Sequence, residues 1–179
     1  MTAGHRSIFF TTFATMEKSL KFPKTERLRH KRLVDRVFAE GKSVYSYPLR
    51  MVYRLDTRAG QLASFRTRHI QADTSPDDTL RTMRIAPVQM MVSVPKRKMR
   101  HAVDRVLLRR RIREAWRINI PELRTATENT ENTLSVALIY VGNEKHDYRS
   151  IETKMKRLID VLAGEIRETG DSADTRDNA

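Results

Sequence analysis

Ten of the residues from Lys96 to Arg117 are Lys or Arg, and only Asp104 and Glu114 among them are acidic. Cations at this density attract phosphates, because each contact neutralises a backbone charge and releases condensed counterion. At about 100° per residue on a helical wheel, Arg105, Arg109, Arg110, Arg113 and Arg117 sweep one arc, and Leu108, Ile112, Ala115 and Trp116 fill the arc beside it. One flank can therefore bury while its neighbour meets RNA or DNA. A charge run is ordinarily a solvated helix face. Here two acids are set against ten bases, and self-repulsion tolerated on that scale points to a polyanionic partner. Lys96, Arg97, Lys98 and Arg100 lead into the helix and extend the same surface.

Other chemistry is absent from the pattern. The five histidines, His5, His30, His69, His101 and His146, are scattered without the spacing of a metal site, and no glycine-rich phosphate loop or nucleophile motif occurs. The residues thus predict no metal site and no catalytic side chain of the protein's own. Cysteine is missing altogether, which excludes disulfides and thiolate ligands and fits a reducing cytoplasm. The 179 residues suffice for one domain with tails, and the formal charge of +13 is concentrated in the basic run.

The elements that must position this run follow from periodicity. Leu33, Val34, Val37 and Phe38 predict a short helix from Arg27 to Gly41, with Gly41 as a left-handed terminator. Tyr45 to Leu55 alternates and predicts one strand. Tyr45, Tyr47, Leu49, Met51, Tyr53 and Leu55 share its core face, and Arg50, Val52 and Arg54 lie on the other, the better candidate for binding an extended RNA strand. Pro48 argues for an edge position or a strand start.

Residues 56–87 lack a sustained period and predict a long loop or insertion, with a strand near Leu62 to Ile70. Val88 to Val94 predicts a strand stopped by Pro95, and the basic helix follows from Val103 to Ile118, anchored by Trp116. Glu122 to Asn132 reads as polar linker, and Leu134 to Val141 as a strand buried on both faces. A last helix from Ser150 to Glu168, capped by Asp147 or Ser150, carries the stripe Ile151, Met155, Leu158, Ile159, Leu162 and Ile166. The expected class is α+β, a single sheet packed with helices in the order α-β-β-(β)-α-β-α, with a helical crossover joining parallel neighbours.

Residues 1–20 read as a disordered extension, residues 21–168 as the RNA-binding domain and residues 169–179 as a disordered tail. Ser7 to Ala14 is too short and too rich in Thr for a secretory signal, and Met16 is a candidate start. No stretch approaches the roughly 20 apolar residues of a membrane span. A monomeric cytoplasmic protein is expected.

The core resembles the protein component of bacterial ribonuclease P. The residues that carry the likeness are Phe22-Pro23-Lys24 with Arg27-Leu28-Arg29, then Phe38 and Gly41, then Ser93-Val94-Pro95-Lys96-Arg97. It continues through Ala102-Val103-Asp104-Arg105, Arg109-Arg110 and Arg113-Glu114-Ala115-Trp116-Arg117. Val106 and Leu107 stand where the family has Asn and Arg, which puts an apolar patch within the arginine arc, and Pro95 replaces a Ser.

The resemblance implies a fold like the second domain of ribosomal protein S5, with a left-handed crossover helix. It also implies a ribonucleoprotein endonuclease in which the RNA subunit cleaves precursor tRNA to release the 5′ leader, with magnesium ions held mainly by RNA. The expected partners are that RNA, one protein per RNA, and precursor tRNA. Lys96, Arg97, Lys98, Arg100, Arg105, Arg109, Arg110, Arg113 and Arg117 would face the catalytic RNA. A cleft between the first helix and the sheet would receive the leader at Val34, Phe38, Arg50 and Val52, or at Tyr53 if the register slips by one. The competing readings are a structural, ribosomal-type RNA-binding protein without a role in cleavage, and a DNA-binding module.

Overall fold

The computed structural model describes residues 22–63, 86–128 and 132–174. A short 3-10 turn, Lys24–Glu26, precedes helix α1 (Lys31–Glu40), and strands β1 (Lys42–Ser46) and β2 (Leu49–Thr57) follow, then helix α2 (Arg58–Ala63). Strand β3 (Val88–Ser93) leads to the basic helix α3 (Ala102–Asn119), then α4 (Pro121–Glu128), strand β4 (Asn132–Tyr140) and helix α5 (Tyr148–Asp174). The sheet order is β1-β2-β4-β3. β2 pairs antiparallel with both β1 and β4, whereas β3 and β4 run parallel, as the predicted helical crossover requires.

Two cores lie on the two faces of this sheet. On one, Leu49, Met51, Tyr53, Met90, Leu134, Val136, Leu138 and Tyr140 pack against the predicted apolar flank of α3 and stripe of α5. Leu108, Ile112, Ala115 and Trp116 have no exposed surface, so the anchoring half of the basic helix is as the wheel predicts. Asp147 caps α5, its Oδ1 accepting from the Ser150 backbone N–H at 3.1 Å. On the other face, Leu28, Leu33 and Val37 cover Val52 and Ala137.

Several expectations are corrected. The alternating run is a hairpin rather than one strand, turning at the cis Tyr47–Pro48 bond. Tyr45 and Tyr47 are consequently exposed, not core, and only Tyr53 of the three is buried. Gly41 is extended, at φ −76°, and its need for glycine is steric: a Cβ would lie 2.2 Å from the Val37 carbonyl oxygen. The residues after Asp56 are not yet loop, because β2 runs to Thr57, whose Oγ1 accepts from the Gly60 N–H at 3.1 Å and starts α2. The expected strand near Leu62 begins in that helix, and residues 64–85 lie outside the described residues, as does the N-terminal extension through residue 20.

The supposed linker is largely α4, opened by Pro121 at its first position, where a missing N–H costs nothing. Leu123 and Thr127 are buried one turn apart within it, and Thr127 Oγ1 donates to the Leu123 carbonyl at 2.8 Å. α5 continues to Asp174, past the expected end at Glu168, since polar residues extend a helix once packing has nucleated it.

Candidate nucleic-acid interface

β3 ends at Ser93, and the turn after Pro95 carries Lys96, Arg97 and Lys98, with the Lys98 and Met99 N–H groups donating to the Pro95 carbonyl. The cations then divide by what holds them. Lys98 Nζ donates to Asn143 Oδ1 at 2.8 Å, and Arg105 Nη1 folds back onto the Met99 and Arg100 carbonyls at 3.0 and 2.6 Å, bracing the entry to α3. Arg111, on the inner flank, donates to the His146 carbonyl at 2.5 Å.

Arg117 grips Glu114 through two hydrogen bonds of 2.9 and 2.5 Å. That pairing holds the Glu114 carboxyl below the usual carboxylate range, against the opposing effect of burial. Asp104, the other acid of the run, is taken by Lys145 at 3.0 Å and not by an α3 arginine. Lys96, Arg97, Arg100, Arg109, Arg110 and Arg113 therefore have no carboxylate partner among the described residues.

Arg113 shows the result. Partial burial, then the like charges of Arg27 and Arg109, push its guanidinium below its ordinary value. Arg27 belongs to this surface, and periodicity could not have found it, because it arrives from the segment before α1. Val106 lies exposed within the cationic surface, as its wheel position predicts, and Val103 is exposed beside it.

The second candidate surface is the sheet face partly covered by α1. Opposed residues in a ladder share a face. By register, Tyr45 faces Arg50, Arg50 faces Ile139, and Ile139 faces Ser93, making one row across all four strands. The adjacent row holds Val52 and Ala137, and Leu33 and Val37 of α1 sit on it. Arg50 lies exposed in the open row, its Nε donating to Ser43 Oγ at 2.9 Å, while on α1 Val34 is half-buried and Phe38 exposed.

Of the expected leader residues, Arg50 thus lies on the open face and Val34 packs against the cluster covered by α1. Val52 is sealed beneath α1 at 4% exposure. Tyr53 is on the opposite face, where its hydroxyl donates to Glu165 of α5, so it does not join them. Arg54 is also unavailable, bonded to Glu40 and held by Asp56 at 2.7 Å. Tyr45 is the aromatic ring that this face carries instead. Its exposure could not be read from alternation, since the hairpin turn reverses which residues it joins.

Among the described residues, no three or more His, Asp or Glu side chains converge as a metal-binding set, and no helix is long and apolar enough to cross a membrane.

Comparison with known proteins places this geometry in context. Residues 22–163 match the family described as Ribonuclease P. The ribonuclease P protein components from two strains of Porphyromonas gingivalis are each 31% identical over 143 residues, covering 80% of this chain and 87% of the relative. The solved structure of the Staphylococcus aureus ribonuclease P protein aligns at a TM-score of 0.46 and 14% identity, over 78% of this chain and 96% of that one.

Proposed function

Because the chain belongs to the ribonuclease P protein family, and is accordingly a subunit of ribonuclease P in tRNA 5′ processing, we propose that α3 docks on the enzyme's RNA subunit while the open sheet face receives the 5′ leader of precursor tRNA. The observation that carries this reading is the set Lys96, Arg97, Arg100, Arg109, Arg110 and Arg113, which keeps its charge uncompensated among the described residues. Such a surface is stabilised by phosphates and by little else. Lys98, Arg105 and Arg117 frame it, each held in place by a neighbour.

In this reading the RNA subunit performs the hydrolysis. The protein supplies binding: α3 positions the ribozyme, and Phe38, Tyr45 and Arg50 offer stacking and charge to unpaired leader nucleotides. Magnesium ions, bound chiefly by RNA, would activate the attacking water and stabilise the leaving oxygen. The working assembly is one protein per RNA in the cytoplasm. A structural RNA-binding role without cleavage is the less favoured alternative, because the matched relatives are themselves ribonuclease P components.

The test is reconstitution. Purified protein added to its cognate RNA subunit at low magnesium should restore release of the 5′ leader from precursor tRNA. RNA binding without any gain in processing would remove this reading and leave the structural alternative.

A further inference from the structure

Between the segment preceding α1 and the flanks of α3 and α5 lies an open hollow of about 560 Å³. Two aromatic side chains line it, Phe22 and Tyr148, and so do the guanidinium groups of Arg27, Arg110 and Arg113. Glu114 is the one carboxylate in its wall, and Arg117 already engages both of that carboxylate's oxygens. Arg111, also in the wall, donates to the His146 backbone carbonyl and not to a carboxylate.

The hollow therefore presents apolar ring surface beside cations that no acid satisfies. Its volume falls within the range of roughly 300–1,000 Å³ typical of small-molecule sites. The Tyr148 hydroxyl is buried and has no hydrogen-bond partner among the described residues. A buried hydroxyl without a partner is uncommon in a finished core.

We propose that this hollow is a mononucleotide site, in which Phe22 and Tyr148 contact the base and Arg27, Arg110 and Arg113 hold its 5′-phosphate. Base faces stack on aromatic rings regardless of sequence, and clustered guanidinium groups hold phosphate through charge-assisted, often bidentate bonds. The nucleotide comes from one of two sources: an unstacked residue of the RNA bound to α3, or a free nucleotide. The first source rests on the reading of α3 as the RNA-facing helix, and the second does not.

Equilibrium dialysis of the full chain against adenosine 5′-monophosphate and against inorganic phosphate tests the site. The monophosphate should bind at least about tenfold tighter than phosphate, in line with the value of one stacked base. Phe22→Leu keeps an apolar anchor without a ring, so it should reduce the monophosphate to the affinity of phosphate, and Phe22→Trp should restore it. Equal binding of the two ligands by the parent chain would overturn the proposal, as would a normally folded Phe22→Leu protein that binds the monophosphate undiminished.

Titrating the RNA subunit into the loaded protein separates the sources, since displacement assigns the site to an RNA nucleotide and retention to a free one. Affinity of the Arg109→Ala/Arg113→Ala protein for the RNA subunit is measured alongside. No change there would reject the RNA-facing reading of α3, whereas the dialysis result alone decides the pocket.

Discussion

Glu26, in the turn ahead of α1, and Arg124, in α4, form an ion pair largely closed to water, with 2.9 Å between Arg124 Nε and Glu26 Oε1 and side chains only 8% and 13% exposed respectively. The pair ties the chain's N-terminal segment to the crossover that follows the basic helix. Arg124 Nη2 donates a second contact of 3.0 Å to Glu26 Oε2. Removing one partner strands the other's charge in a poorly solvated place. Glu26→Ala should therefore cost about 3 kcal/mol of unfolding free energy, measured by urea denaturation. A loss within experimental scatter would show that water reaches Arg124 freely.

Arg109→Ala together with Arg113→Ala should weaken binding of the RNA subunit and lower the slope of log affinity against log salt by about two, roughly one per lost phosphate contact. The melting temperature should not fall, because neither guanidinium has a carboxylate partner among the described residues and Arg113 is repelled by Arg27 and Arg109. Parallel salt titrations that give the same slope for parent and variant would reject the assignment.

The open sheet face makes a prediction about substrate discrimination. Tyr45→Ala should weaken precursor tRNA by about 1–2 kcal/mol, the value of one stacked base, and leave mature tRNA unaffected. Photo-crosslinking from Phe38 should label the leader. Equal losses for both tRNAs, or labelling confined to the mature body, would place the leader elsewhere.

Acid should loosen the far side of the sheet. Burial raises the Glu165 carboxyl, but the Tyr53 hydroxyl and then Lys42, 3.1 Å away, outweigh it and hold the group below its ordinary range. A depressed carboxyl contributes stability that is complete above its unfolded value and disappears as pH falls through the folded one. Glu165→Gln should flatten the pH dependence of the unfolding free energy across that acid limb, costing about 1 kcal/mol at neutral pH. Burial and Glu165 both raise the Tyr53 phenol, so its contribution persists through neutral pH and is lost only in strong alkali.

What could be read from the sequence was whatever depends on one element's own period. The wheel of α3 separated Leu108, Ile112, Ala115 and Trp116 from the arginines because a helix fixes its faces locally, and the α5 stripe emerged in the same way. The hairpin did not emerge. Alternation survives a turn in appearance while the pairing changes underneath, so Tyr45 joined Arg50 instead of Leu49 and changed faces. α4 was missed because Leu123 and Thr127 make too short a stripe, and its anchor, Glu26, is distant in sequence. The covering of Val52 and the arrival of Arg27 beside Arg113 depend on where one element lies over another, which no single element's period encodes.

β4 lies between β2 and β3 yet is the last strand to leave the ribosome. Of the pairings among the described strands, a nascent chain that stops before β4 can form the β1–β2 hairpin alone, and an isolated two-stranded ribbon is marginal in water. α3 thus emerges before the sheet that will bury its apolar flank is complete. One late segment supplies both the β2–β4 and the β3–β4 ladders, so a chain that stops short of it holds the β1–β2 hairpin and β3 with neither joined to the other half of the sheet.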